Sequence, residues 1–534
     1  MLKLKLKIIA IGFAMLSFYG LHAQDKNISN GEVFDGEPYL VINPQNPQHM
    51  VVAWMGWKLF QRIVIKTKVS YDAGQNWSDA AVHPHASSSF GSADPSMVFD
   101  HLGNLFLTYV DYNFLLDSGS VYIQKSTNGG LDWSELTEVI NIHSDAGKKA
   151  IDRPWIRINR TTGPTQGYIY VTTMNAKGAS SPFNPYLSRS TDGGISWDAW
   201  RYIDTTGWLS GSFISQPMPT ADVSANGTLH CVYPSWVLTQ QLLPQFILAS
   251  LDSETDDFTY HSVYATDKNA SDELSKKGYL IRANPADENH LVFIFLSTPH
   301  GDADVYFTES ANAGASWSEP IRVNDDPVAN GKMQDMLWAD FDEDGDLVVC
   351  WRDRRNVVDT GYTVASEIWG ATLWKDSADF SANYRISDTL VAYDSVLAKS
   401  GNDFMCIVLQ SDTLNAVWGD TRDGKLNIWF KRMQLPGAGS LGIHTFNIEQ
   451  KNLVAVYPNP FSNKTTIEYT LQQASTVQIT VFNHLGEQVA FIQKEQPQGK
   501  QQLVWDAKDL PSGLYYLLLQ TEKESMMGKM MILR

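Results

Sequence analysis

The chemistry open to this chain lies in carboxylates and guanidiniums placed at the ends of apolar runs. Asp94 opens the run DPSMVFD after a Ser/Gly-rich stretch, Ser87 to Ser92, that suits a loop, and Asp353 closes the run DLVVCWRD. A carboxyl held at such a position can move a proton in a transition state, so both are candidate catalytic acid/base groups. Arg153, Arg282 and Arg354, with Asp335 and Asp403, are candidate groups for holding a polar or anionic ligand, because a guanidinium meets a carboxylate in fork geometry. Two arginines sit deeper. Arg157 and Arg282 fall inside apolar runs, in the slot that Val41 fills in the first run, and a charge there needs a partner. An Asp from a neighbouring unit is the expected one. Trp351-Arg-Asp353-Arg-Arg355 and Trp418-Gly-Asp420-Thr-Arg422 share one spacing, and recurrence favours a structural Asp–Arg brace over a unique catalytic group.

Metal chemistry has one candidate. Asp340, Asp342 and Asp344 alternate like the opening of a calcium loop, but Trp351 stands where the twelfth-position Glu belongs, and a solvated turn competes with calcium. No other cofactor is expected. His83-Pro-His85 has no third ligand nearby and reads as loop. The three cysteines, Cys231, Cys350 and Cys406, lie in apolar stretches and read as buried free thiols. No Walker, Rossmann or Gly-x-Ser-x-Gly motif occurs.

The elements that must position these residues come in repeats. Apolar hairpins start at residues 37, 94, 153, 216, 278, 335 and 403, each an alternating run, a turn and a second run. Spacings of 57 to 68 residues suit four strands and their loops. Interleaved with them is the pattern Ser-x-Asp/Asn-x-Gly-x-x-Trp. It occurs as Ser70-Asp72-Gly74-Trp77, Ser126-Asn128-Gly130-Trp133, Ser190-Asp192-Gly194-Trp197 and Ser310-Asn312-Gly314-Trp317. Its logic is turn chemistry: the Asp or Asn bonds backbone N–H groups, Gly takes a positive φ, and Trp folds back onto apolar neighbours.

These motifs resemble the Asp boxes (BNR repeats) of the sialidase-like β-propellers, where the box is structural. The resemblance implies an all-β propeller over residues 24–436. Seven hairpins predict seven blades, with six, the number in sialidases proper, as the alternative, and the last blade needs a fourth strand from residues 25–34. Alternating strand direction puts inner-strand starts and second-strand ends on one face, with the Asp boxes on the other. Glu37, Asp94, Asp152, Arg153, Asp335, Asp403, Asp111, Asp353, Arg354, Arg355, Asp420 and Arg422 then share the first face. The catalytic residues of sialidases do not carry over. Their early Arg-Ile-Pro motif is missing, and Tyr362 and Glu367 match a Tyr/Glu pair in residue type alone.

The ends read differently. Lys3, Lys5 and Lys7, the apolar stretch 8–20 and Ala23 make residues 1–23 a signal peptide. Residues 437–447 form a linker. Residues 448–534 read as a small β-sandwich, and Tyr457-Pro-Asn-Pro-Phe461, Leu485-Gly486 and Leu510-Pro-Ser-Gly-Leu-Tyr-Tyr516 resemble a type A sorting domain of the type IX secretion system. That resemblance implies export across the outer membrane, with the secretion machinery as partner. A net charge of −18 argues against nucleic acid as a partner, and no run is long enough for a transmembrane segment. Two functions follow from these expectations: a secreted or cell-surface glycoside hydrolase or lyase acting on an extracellular glycan, or a non-catalytic propeller that binds glycan or protein.

Overall fold

The computed structural model describes residues 24–31, 33–60, 62–206, 209–214, 217–237, 244–265, 278–393, 402–437, 454–471, 473–483, 488–521 and 525–534. The signal-peptide and linker assignments lie outside these residues. Two compact units divide after Ala438.

Among the described residues, the first unit consists of seven four-stranded antiparallel sheets, the blades I to VII. Blade I runs from the inner strand Asp35–Asn43 through Asn46–Trp57 and Ile63–Ser70 to the short outer strand Ala81–Val82. The inner strands that follow are Gly91–Phe99, Asp152–Ile158, Thr220–Val223, Tyr279–Ala283, Asp335–Phe341 and Cys406–Gln410. Each packs on the next, and the last packs on the first, so they surround one axis. Blade VII is completed from the N-terminal side: Lys26–Asn27 pairs with Asn427–Gln434. Pairing this short early strand with the last blade closes the ring.

Four turns on one face share one hydrogen-bond scheme. In each box the Ser Oγ donates to the Asp or Asn Oδ1, at 2.8 Å for Ser70 and 2.9 Å for Ser190. The Gly N–H donates back to that Oγ, and the N–H four residues beyond the Asp or Asn donates to its Oδ1. Trp77, Trp133, Trp197 and Trp317 are half-buried against the core. The cysteines are buried free thiols.

The second unit packs a three-stranded sheet and a four-stranded sheet around a core that includes Ile467, Val481, Trp505 and Leu517. Among the described residues, no helix is long and apolar enough to cross a membrane.

Candidate functional site

At the mouth of the axis the inner strands begin irregularly, and they do so in register with one another. Register shifts fall between Gly36 and Tyr39, Ala93 and Ser96, Asp152 and Trp155, and Asp335 and Trp338. Glu37, Asp94, Arg153 and Met336 within them adopt positive φ of 54°, 55°, 48° and 51°. Three are followed by Pro38, Pro95 and Pro154, which lack the N–H that a ladder would use, so the bulge forms where pairing is already lost. A bulge re-aims its side chain, and left-handed backbone at non-glycine residues stores strain that collects at functional sites.

What the bulges aim is a cluster of acids around one arginine. The Glu37 and Asp94 carboxyls lie close enough for each to shift the other's titration. Glu37 Oε2 is buried and meets no hydrogen-bond donor among the described residues. Burial, with the neighbouring charges of Asp94 and Asp403, pushes Glu37 well above the usual carboxylate range. Enclosure also raises Asp94, against the pull of Arg153. Asp152 is pushed up to about 7 by burial and by Asp94. The Tyr112 hydroxyl, enclosed near Asp94, Asp152 and Glu37, rises to about 12. Arg153 reaches across the axis to Asp403, 2.5 Å away, and lies over the Phe404 ring. Glu37 is buried, whereas Asp94, Asp152, Arg153 and Asp403 are partly open to solvent.

Deeper in the channel, Trp155 stacks on Trp338 with centroids 5.4 Å apart, and Tyr39 meets both edge-on. Below them charges alternate around four successive blades: Arg157, Asp222, Arg282 and Asp340 fill the slot of Val41. Arg157 Nε donates to Asp222 at 3.1 Å, and Arg282 lies 3.7 Å from Asp340 while donating to the Ala339 and Ile281 carbonyls. The expected inter-blade pairing is present. Burial and nearby Arg157 lower Arg282, which, with its donors turned to protein, braces the ring and presents little to a ligand.

Other expected site residues lie elsewhere. Asp353 accepts from Trp351 Nε1 at 2.7 Å, from Arg355 Nε and from the Arg355 N–H, so its lone pairs are occupied by a brace. Asp420 takes Trp418 and Arg422 in the same way, and Arg355 and Arg422 each lie 4.2 Å over a Trp ring, Trp369 and Trp429. Asp335 is gripped by Arg352 and Arg354. Burial would raise its carboxyl, but the two guanidiniums hold it well below the usual range. Arg354 is fully buried and also donates from Nη1 to the Met333 carbonyl and from Nε to the Tyr362 carbonyl. Tyr362 faces Arg352, while Glu367 faces Arg385 and Asn356, so they form no Tyr/Glu pair.

The calcium reading is corrected in the same manner. Asp340 points into the channel and Asp344 pairs with Lys375; the acids that converge are Asp342, Asp346 and Asp412. Asp342 accepts from the Gly345 and Asp346 N–H groups, as an Asx turn does. His83 and His85 lie in the loop that follows the strand Ala81–Val82. His83 is buried between Thr67 and Gln124, and His85 Nδ1 lies 2.8 Å from Asp111. Sequence reasoning placed Glu37 and Asp152 on this face without a role and missed Tyr112. The signal for the first was a charged residue before proline at inner-strand starts, in three blades.

A seven-bladed propeller with a charged, bulge-built mouth, joined to a β-sandwich tail, is thus the class of molecule. Residues 455–533 match the secretion system C-terminal sorting domain. This domain marks proteins that the type IX system exports to the cell surface or extracellular space, and the chain is such a protein. No curated protein matches it. Among solved structures it is similar to a protein of unknown function from Dyadobacter fermentans, at 14% identity over 78% of this chain and 99% of that one, with a TM-score of 0.44. An alpha-L-arabinofuranosidase from Fusarium graminearum matches at 13% identity over 65% and 94%, TM-score 0.41. An alpha-L-arabinanase from Penicillium chrysogenum matches at 12% over 77% and 98%, TM-score 0.39.

Proposed function

We propose that the propeller is a secreted glycoside hydrolase whose active site is the channel mouth. The observation that carries this reading is the pair of neighbouring carboxyls, buried Glu37 and partly open Asp94, held on strained bulges. Two like charges in contact cannot both ionise, so one carboxyl stays protonated at neutral pH and can serve as a general acid. Asp94, the partly exposed member, meets the leaving group; Glu37 behind it stores the proton. Asp152 is ionised above about 7 and can activate water as the base, which supplies the second carboxyl function glycoside hydrolysis needs. Arg153 and Asp403 hold sugar hydroxyls. The Asp-box resemblance supports a glycan as substrate.

The test is release of reducing sugar from neutral and acidic polysaccharides. Asp94→Asn should lower turnover roughly 100-fold or more with little change in substrate affinity. A wild-type protein that binds a glycan, cleaves none, and binds equally well as Asp94→Asn would instead be a non-catalytic binder.

A further inference from the structure

On the mouth face, the loops joining second and third strands of blades I and II carry apolar side chains into solvent. Leu59 and Phe60 cap the first loop, with Phe60 95% exposed. Phe114 and Leu115 cap the second, with Phe114 88% exposed. The loops are neighbours. A Cβ built on Gly91 would lie 3.8 Å from the Ile63 carbonyl oxygen, and Gly91 pairs with Tyr112 at the base of the second loop.

Both loops are built to hold these side chains out. Phe60 has a φ of 66°, costly for a bulky residue, and the Lys58 N–H closes the loop on the Arg62 carbonyl at 3.2 Å. In the second loop, Asn113 Oδ1 accepts from the Asp117 and Ser118 N–H groups, and the Leu116 N–H donates to the Asn113 carbonyl. Strain and bracing that expose large apolar groups bring the isolated propeller no packing in return. Contiguous exposed apolar residues mark an interaction surface.

Charge selects the occupant. In a chain of net charge −18, the first loop sets Lys58 and Arg62, both exposed, on either side of its apolar tip. A second copy docked through the same crest would gather the cations of both copies in one interface. A convex tip of Leu and Phe flanked by cations fits an anionic lipid surface, with the apolar groups below the headgroups and the cations among them.

We infer that this crest docks the protein on an anionic lipid surface, with Leu59, Phe60, Phe114 and Leu115 inserted and Lys58 and Arg62 paired with headgroups. The mouth opens on the same face and is thereby turned toward that surface. The inference is independent of the carboxyl chemistry.

Sedimentation with vesicles of phosphatidylethanolamine and phosphatidylglycerol, and with phosphatidylcholine vesicles, tests it on the full chain. Wild type should pellet with the anionic vesicles, and the double variant Phe60→Ser, Phe114→Ser should bind about tenfold less. Lys58→Gln with Arg62→Gln should remove the preference for anionic vesicles. Matched circular dichroism would show that the variants fold. Wild type left in the supernatant with both vesicle types overturns the inference, as does a double variant that pellets like wild type. So does light scattering that finds a dimer broken by the double variant, since a second copy would then cover the crest.

Discussion

Asp152 carries a consequence that a titration can read. Its carboxyl titrates near 7 in the folded protein and near 4 in an unfolded chain, so the native state holds the extra proton between those values. The stability it contributes is full below about pH 4 and is lost as pH rises through about 7. Asp152→Asn removes that loss. Relative to wild type, the variant should gain about 1–3 kcal/mol of unfolding free energy between pH 5 and pH 8 by urea denaturation. His83 and His230, held near 4 by burial, act in the opposite direction over part of this range but are common to both proteins. A constant difference between the two proteins would place Asp152 outside the coupled cluster. The sequence made Asp94 and Arg153 visible as charges at strand starts. It could not show that Glu37 touches Asp94, because residues 57 apart meet only through the rotation from one blade to the next, and their approach depends on the bulges.

At the level of the element, the Asp box was legible because its chemistry is local. Ser, Asp or Asn, and Gly satisfy one another within a single turn, so their spacing survives in the sequence. The box also does something its spacing does not reveal. A Cβ on Gly314 would sit 2.0 Å from Leu248 of the preceding blade, and one on Gly74 would sit 2.3 Å from Phe430 of blade VII. The box glycine is therefore where one blade approaches the next, in addition to its positive φ. Gly314→Ala should cost about 2–4 kcal/mol, combining left-handed strain with overpacking. Gly193→Ala, where the nearest atom is the mobile end of Lys125 at 3.6 Å, should cost about 1–2 kcal/mol from strain alone. Equal costs in chemical denaturation would mean that the box glycine serves only its own turn. The Trp-x-Asp-x-Arg brace was legible for the same local reason, which is how Asp353 could be weighed as structural from sequence. The crest at Phe60 and Phe114 was not legible, since an exposed apolar residue in a loop looks like any other until the fold shows its surroundings.

For the whole molecule, the ring is only as strong as its closure, and closure rests on a two-residue strand fastened by charge. Asp25, just before Lys26–Asn27, accepts from Arg422 Nη1 at 2.8 Å, from Lys431 Nζ at 3.1 Å and from the Asp388 N–H at 2.8 Å. All three contacts are with residues more than 360 positions away, so nothing in the local sequence marks Asp25 as a clasp. The need for an N-terminal strand could be counted from the missing fourth strand of blade VII, but its fastening could not. Asp25 is buried, and burial raises its carboxyl despite these donors. Replacing it with Ala leaves the Lys431 ammonium enclosed without its counter-charge, which costs about 3–5 kcal/mol for a buried pair. Because the loss falls on the closing blade, it should appear first as local opening. In Asp25→Ala, amide exchange should accelerate along Asn427–Gln434 before it does along the inner strands of blades II and III, and the unfolding midpoint should fall. Exchange that rises uniformly in all seven blades would show that the ring opens as one cooperative unit. Unchanged exchange and an unchanged midpoint would show that backbone pairing alone holds the ring closed.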